Sequence, residues 1–174
     1  MAETNGIACT TQSLQAEIER LFPSHPYYGR VMEQSYPAAD WESPLDDLDT
    51  YLYGKSWKEL VPTYRFISDS EFILMNSGAI QALFAAWLWT AAEDPEGSND
   101  LRDFLAGCFS PSHPSGRETE LDALLWRRLL FTMSPTQRDI IARVFECGRE
   151  SAHGVFRADY DSAIENIRTF PYYS

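Results

Sequence analysis

Hydrophobic residues recur at helical spacing through most of the chain. Leu14, Ile18 and Leu21, for example, lie three or four positions apart and are separated by polar and charged residues, a pattern typical of an amphipathic helix. Strict alternation of apolar and polar residues, which would indicate a strand, never persists for five positions. Together with capping residues and prolines, the pattern predicts helices over residues 11–22, 43–54, 118–131, 135–148 and 159–168, and a short helix after residue 99.

The longest apolar segment spans residues 79–92 and contains only two polar residues, Gln81 and Thr90. It predicts a helix over about residues 77–94. Because this helix is apolar on nearly all sides, we expect other helices to surround it. It is too short to cross the roughly 30 Å hydrocarbon core of a membrane.

The chain has 174 residues, of which 44% are hydrophobic, and both values suit one globular domain. No long linker interrupts the helical pattern. The sequence therefore predicts an all-α fold: a single compact domain over residues 1–174, with six to eight helices around the central helix. We expect residues 1–10 to form a flexible N-terminus.

Negative charge is concentrated in residues 1–100, which we call the acidic half. These residues include 16 acidic and five basic side chains, and they carry −11 of the net charge of −12. Nucleic-acid binding requires clustered Lys and Arg, so this charge disfavours a direct nucleic-acid partner. An acidic surface can keep a protein soluble or steer a basic partner, and its uneven distribution favours the second role.

Four arginines lie on two of the predicted helices in the second half of the chain: Arg127, Arg128, Arg138 and Arg143. We expect them to be solvated or to form ion pairs with the acidic half. Three widely spaced cysteines do not indicate a disulfide framework. The N-terminus lacks the basic and apolar segments of a secretory signal, so we expect a cytoplasmic protein.

Two short motifs flank the central helix. Residues 53–60 read YGKSWKEL and residues 134–138 read SPTQR. These are similar to the G-K-[ST]-W-x-E-L and L-[ST]-P-x-Q motifs of a group of small, acidic, all-helical bacterial proteins that are uncharacterised, and the similarity extends over about residues 43–147. The resemblance implies a helical fold and transfers no catalytic residue. Small acidic helical proteins of this kind resemble immunity proteins encoded beside toxins.

No familiar catalytic or cofactor motif is present. Gly54-Lys55-Ser56 lacks the glycine that a phosphate-binding loop needs at position 49, which is aspartate. We interpret these residues as the end of one helix and the start of the next, with Ser56 and Glu59 forming a capping box. The histidines and cysteines do not have metal-ligand spacing, so we expect neither a cofactor nor a metal. An enzyme with an unrecognised site near Cys108 and His113 remains an alternative.

The most favoured interpretation is a non-enzymatic binding protein, most concretely an immunity or inhibitor protein that neutralises a basic toxin or nuclease. Aromatic side chains beside carboxylates are suited to such an interface. The predicted partner-binding residues are Asp40, Trp41, Glu42, Asp46, Asp47, Asp49, Tyr51, Tyr53 and Trp57. We expect a monomer or homodimer; a structural subunit of a larger helical assembly is a further alternative.

Overall fold

The computed structural model describes residues 10–30, 50, 52–60, 75–93, 100–110, 120–150, 152 and 155–171. Over these ranges the chain forms seven helices and no β-strand, which confirms the predicted all-α fold. The helices are α1 (Thr11–Leu21), α2 (Trp57–Leu60), α3 (Ser77–Ala91), α4 (Asp100–Phe109), α5 (Glu120–Thr132), α6 (Pro135–Arg149) and α7 (Val155–Thr169). Thr10 caps α1; the rest of the predicted flexible N-terminus lies outside the described residues.

Helix α3 is the centre of the packing, as its composition predicts. Ten of its 15 residues are buried, and it contacts α1, α2, α4, α5 and α6, while α7 packs on α4 and α6. It ends at Ala91, three residues earlier than predicted. None of the described helices is both long enough and apolar enough to cross a membrane.

Side chains from neighbouring segments satisfy the polar groups at both ends of α3. At its start, the Asn76 side chain accepts a hydrogen bond from the Ala79 amide at 2.9 Å. At its end, Thr11 donates to the Glu93 carbonyl at 2.9 Å and Gln15 donates to the Trp89 carbonyl at 3.3 Å. Helix α1 therefore fixes the C-terminal end of α3 by hydrogen bonds as well as by packing.

Most of the aromatic rings in the described helices belong to one continuous core. Phe84 on α3 makes edge contacts with Phe109 and Trp126, each with ring centroids 6.0 Å apart. Phe109 also contacts Phe145, and Phe145 contacts Tyr160 on α7. Such pairs contribute about 0.5–1.5 kcal/mol each beyond burial, so much of the aromatic content serves to join α3 to α7 through α4 and α6.

A buried polar cluster joins α4, α6 and α7. The Arg102 Nε donates to the Tyr160 hydroxyl at 3.2 Å, and that hydroxyl donates to Asp103 at 2.6 Å. Burial, followed by the hydrogen bond to Asp103, raises the pKa of Tyr160 above its ordinary value. Tyr160 is therefore a neutral donor in this cluster rather than a titrating group, and Gly148 on α6 leaves the space that the Arg102 side chain occupies.

The wide spacing of the three cysteines does not indicate a disulfide framework, yet one of them is paired. Cys147 on α6 is disulfide-bonded, whereas Cys108 on α4 is a half-buried thiol. The spacing of cysteines in the sequence does not show this pairing, because the packing of the chain decides which sulfur atoms meet.

We predict that Gly148→Ala destabilises the fold by about 1–3 kcal/mol, since overpacking a core site costs this much. An added Cβ would lie 2.6 Å from Arg102 Cζ and 2.7 Å from its Cδ. Arg102 is buried and bonded to Tyr160, so its side chain cannot move aside without losing that contact. The measurement is the midpoint of urea denaturation, followed by circular dichroism.

Gly107→Ala is the matched control, because no atom lies within 4 Å of a Cβ at that helical position. Because alanine has a greater helix propensity than glycine, this variant should stabilise the protein by up to about 1 kcal/mol. Equal midpoints for the two variants would contradict the steric role of Gly148.

Candidate functional site

The structure describes two of the nine predicted partner-binding residues, Tyr53 and Trp57, and separates their roles. Tyr53 is 61% exposed, whereas Trp57 is only 1% exposed. The other seven lie outside the described residues: Asp40, Trp41, Glu42, Asp46, Asp47, Asp49 and Tyr51. Only Tyr53 is thus shown with its ring available to a partner.

Trp57 belongs to the core, which corrects its assignment as a contact residue. It begins α2, a helix that packs against α3, and its indole Nε1 donates to the Phe22 carbonyl at 3.2 Å. This bond satisfies the indole N–H and a carbonyl at the end of α1 together. A partner could reach the Trp57 ring only if α2 separated from the core.

Tyr28 is a surface residue that sequence reasoning missed. Its ring is 64% exposed and meets the Tyr53 ring in an edge-to-face contact, with centroids 5.5 Å apart and planes at 74°. We call Tyr28 and Tyr53 the tyrosine surface. The sequence also allows a short helix over residues 27–34, but residues 27–30 are irregular, and residues 31–34 lie outside the described part of the chain. The partner of Tyr28 is 25 positions away in the sequence, so no local pattern indicates their contact.

Backbone hydrogen bonds hold these two rings together. The Tyr27 amide donates to the Lys55 carbonyl at 3.0 Å, and the Gly54 amide donates to the Tyr27 carbonyl at 2.7 Å. Gly54 has a φ of +75°, a left-handed conformation that favours glycine and that agrees with its predicted position at a helix end. A Cβ on Gly54 would also lie 3.3 Å from Tyr28 Cε1, so glycine lets the Tyr28 ring lie close to the turn.

The same segment is attached to the start of the central helix. The Tyr27 hydroxyl lies 2.9 Å from the Arg30 carbonyl and 3.3 Å from Asn76 Oδ1. Asn76 caps α3 and also donates to the Arg30 carbonyl. The tyrosine surface is therefore connected, through Tyr27 and Asn76, to the buried helix α3.

Acidic side chains in this region retain their charge. The Glu59 carboxylate accepts from the Ser56 amide and from the Ser56 hydroxyl, both at 2.8 Å, and these bonds lower the pKa of Glu59, the amide contributing most. The predicted capping box is thus half formed, because the Glu59 side chain accepts from the Ser56 amide. The Ser56 hydroxyl donates to the Glu59 carboxylate instead of accepting from the Glu59 amide. A hydrogen bond from Lys58 at 3.0 Å lowers the pKa of Glu19 on α1.

The other candidate chemistry gains no support from the described residues. Among them, no group of histidine, cysteine and carboxylate side chains could hold a metal ion. Cys108 is half-buried on α4, and His113, its suggested partner in a catalytic pair, lies outside the described part of the chain. Lys55 and Ser56 lie in the turn between Gly54 and α2, the arrangement expected of a helix junction.

No protein-family model, curated protein or solved structure shows significant similarity to this chain. The resemblance carried by residues 53–60 and 134–138 therefore remains an expectation. The second of these motifs, residues 134–138, forms a capping box at the start of α6. The Gln137 amide donates to the Ser134 hydroxyl, and the Gln137 side chain accepts from the Ser134 amide.

We predict that Glu59→Gln lowers the melting temperature at pH 7 and that this difference disappears at acidic pH. The folded-state pKa of Glu59 is depressed below its ordinary value of 4.5. A depressed pKa contributes stability that is present above the unfolded-state value and is lost as the pH falls through the folded-state value. Thermal unfolding from pH 7 down to pH values below 4.5 tests this dependence.

Glu165→Gln is the control, since the Glu165 carboxylate is exposed and has no side-chain partner among the described residues. Its effect should vary less with pH than that of Glu59→Gln. A pH-independent difference for Glu59→Gln would show that the carboxylate charge does not stabilise the turn.

Proposed function

We propose that this protein is a non-enzymatic binding protein that docks on a basic protein partner. In its most concrete form the proposal is an immunity or inhibitor protein that neutralises a toxin or nuclease. The observation that supports it best is the tyrosine surface: two exposed aromatic rings in mutual contact, on hydrogen-bonded backbone, within the acidic half.

Exposed tyrosines of this kind are suited to anchor an interface. Tyrosine provides a large contact area with few rotatable bonds, and it is enriched among the residues that dominate binding energy. The backbone pairing of Tyr27 with Gly54 and Lys55 supports both rings before a partner arrives. A preorganised anchor loses little conformational entropy on binding.

Charge provides the preference for a basic partner. Five of the predicted contact residues are carboxylates that precede Tyr53 within 13 positions: Asp40, Glu42, Asp46, Asp47 and Asp49. Clustered negative charge accelerates encounter with a positively charged surface and selects partners by sign. The net charge of −12 makes a direct contact with nucleic acid or an anionic membrane unfavourable.

Two other exposed aromatics support a second candidate, a structural subunit of a larger assembly. Phe131 on α5 and Phe156 on α7 are 60% and 51% exposed, and exposed apolar rings can form contacts between subunits. A mass in solution equal to one chain, measured by light scattering, would exclude a homo-oligomer and leave the first proposal in place.

We predict that Tyr28→Ser and Tyr53→Ser each weaken binding to the basic partner by about tenfold or more, because hot-spot side chains contribute about 2 kcal/mol or more. The partner is first captured from native lysate by the tagged protein, at about 50 mM and about 500 mM salt, since screening should weaken a charge-steered complex. The dissociation constant is then measured by calorimetry with both proteins purified.

Phe156→Ser is the matched control, an exposed aromatic residue on α7, and its affinity should equal that of the unaltered protein. A triple charge reversal of Asp46, Asp47 and Asp49 to lysine should slow association more than it speeds dissociation. Unchanged affinity in both tyrosine variants would overturn the assigned surface, and unchanged affinity in the charge reversal would overturn the electrostatic preference.

A further inference from the structure

The two roles expected of these arginines, solvation and ion pairing, both occur among the described residues. Arg143 on α6 does pair with Glu17 of the acidic half, as the sequence predicts. Arg127 and Arg128 are exposed, and neither makes a hydrogen bond or an ion pair with any residue that the structure describes. Neither guanidinium group is therefore neutralised by a carboxylate of the described residues, although the chain has 26 acidic and 14 basic side chains.

Both arginines border a pocket of about 450 Å³ between the start of α3 and the end of α5. Its walls are mainly apolar and are provided by Ile80, Leu129 and Phe131, together with Phe170, which follows α7. A volume of this size and a mainly apolar surface are typical of small-molecule sites, which span about 300–1,000 Å³. Five of the nine lining residues are polar or charged: Ser77, Gln81, Arg127, Arg128 and Thr132.

The Phe170 wall of the pocket is fixed by a buried arginine. The Arg138 guanidinium lies 4.9 Å from the centroid of the Phe170 ring and donates to the Phe170 carbonyl at 3.2 Å. Arg138 is itself buried on α6. The ring is therefore held by a cation–π contact and a hydrogen bond from the core, so this side of the pocket is formed in advance of any ligand.

We propose that this pocket binds a small amphipathic anion, in which an apolar body fills the cavity and a carboxylate or similar head group meets Arg127 and Arg128. Paired arginines recognise carboxylates with charge-assisted hydrogen bonds. None of the described residues that line the pocket is acidic. Ser77, the first residue of α3, also lines it, which places the positive end of the α3 dipole on the same side.

The negative net charge of the protein should confine anion binding to the pocket beside Arg127 and Arg128. A net charge of −12 repels anions at long range, so weak anion binding elsewhere on the surface is suppressed. At the pocket, the two guanidinium groups act over a few ångströms, well inside the screening length of about 8–10 Å. The inference does not depend on the proposed partner, since it uses neither Tyr28 nor Tyr53.

The test uses two probes with the same apolar chain and opposite head-group charge, decanoate and decylammonium. Their binding to the purified full-length protein is measured by calorimetry below the concentration at which they form micelles. We expect saturable binding of decanoate to one site and an affinity for decylammonium at least about tenfold lower, the difference expected for a charge-assisted hydrogen bond.

Arg127→Gln/Arg128→Gln should weaken decanoate binding at least about tenfold, while Arg157→Gln should leave it unchanged. Arg157 is a matched control because it is exposed on α7 and has no ion pair with any described residue. Phe131→Ser is a second variant, since Phe131 is exposed and lines the pocket; it should also weaken decanoate binding, whereas Phe156→Ser should not. All five positions are on the surface, so the variants should fold.

Absence of saturable decanoate binding would overturn the proposal. So would equal affinities for the two probes, or a decanoate affinity that the double arginine variant does not change. These outcomes are independent of the partner experiment, because the tyrosine variants should retain decanoate binding even if they lose the protein partner.

Discussion

The fold depends on one requirement: a helix that is apolar on nearly every side must be removed from water on nearly every side. Helix α3 meets this requirement by contacting five other helices. Its two ends still carry unsatisfied amide and carbonyl groups, and these receive Asn76 at the start and Thr11 and Gln15 at the end. The neighbours of α3 therefore have two tasks, to cover its side chains and to satisfy its ends.

That arrangement also explains why a surface loop has a defined shape. The segment containing Tyr27 is attached to Asn76, the cap of α3, and pairs with Gly54 and Lys55 by backbone hydrogen bonds. These hydrogen bonds connect the segment to the start of the central helix, which therefore helps to set its geometry. Tyr28 extends outward from this segment and meets Tyr53. A pair of exposed aromatic rings can thus be held in place without belonging to regular secondary structure.

The helices that the structure describes were predictable because their signals are local; the helix predicted over residues 43–54 lies mostly outside the described residues. The cap at Ser134 and the stripe from Leu14 to Leu21 involve residues three or four positions apart, and the observed helices begin or end within a few residues of the predicted bounds. The tyrosine surface was not predictable, because Tyr28 and Tyr53 meet only through tertiary pairing. Trp57 illustrates the opposite error: its burial depends on how α2 is rotated toward α3, and four residues cannot define a period.

The arginines show how a charge pattern gains meaning only after the fold is known. In the sequence, Arg127, Arg128 and Arg143 are equivalent basic residues on helices. In the structure, Arg143 reaches Glu17 across α1 and α6, while the first two border an apolar pocket that contains no acidic lining among the described residues. Carboxylates outnumber basic groups almost two to one in this chain, yet exposed arginines without an ion pair to a described residue, such as Arg157, also occur. What distinguishes Arg127 and Arg128 is their place beside an apolar pocket, and the proposed anionic ligand would use both features.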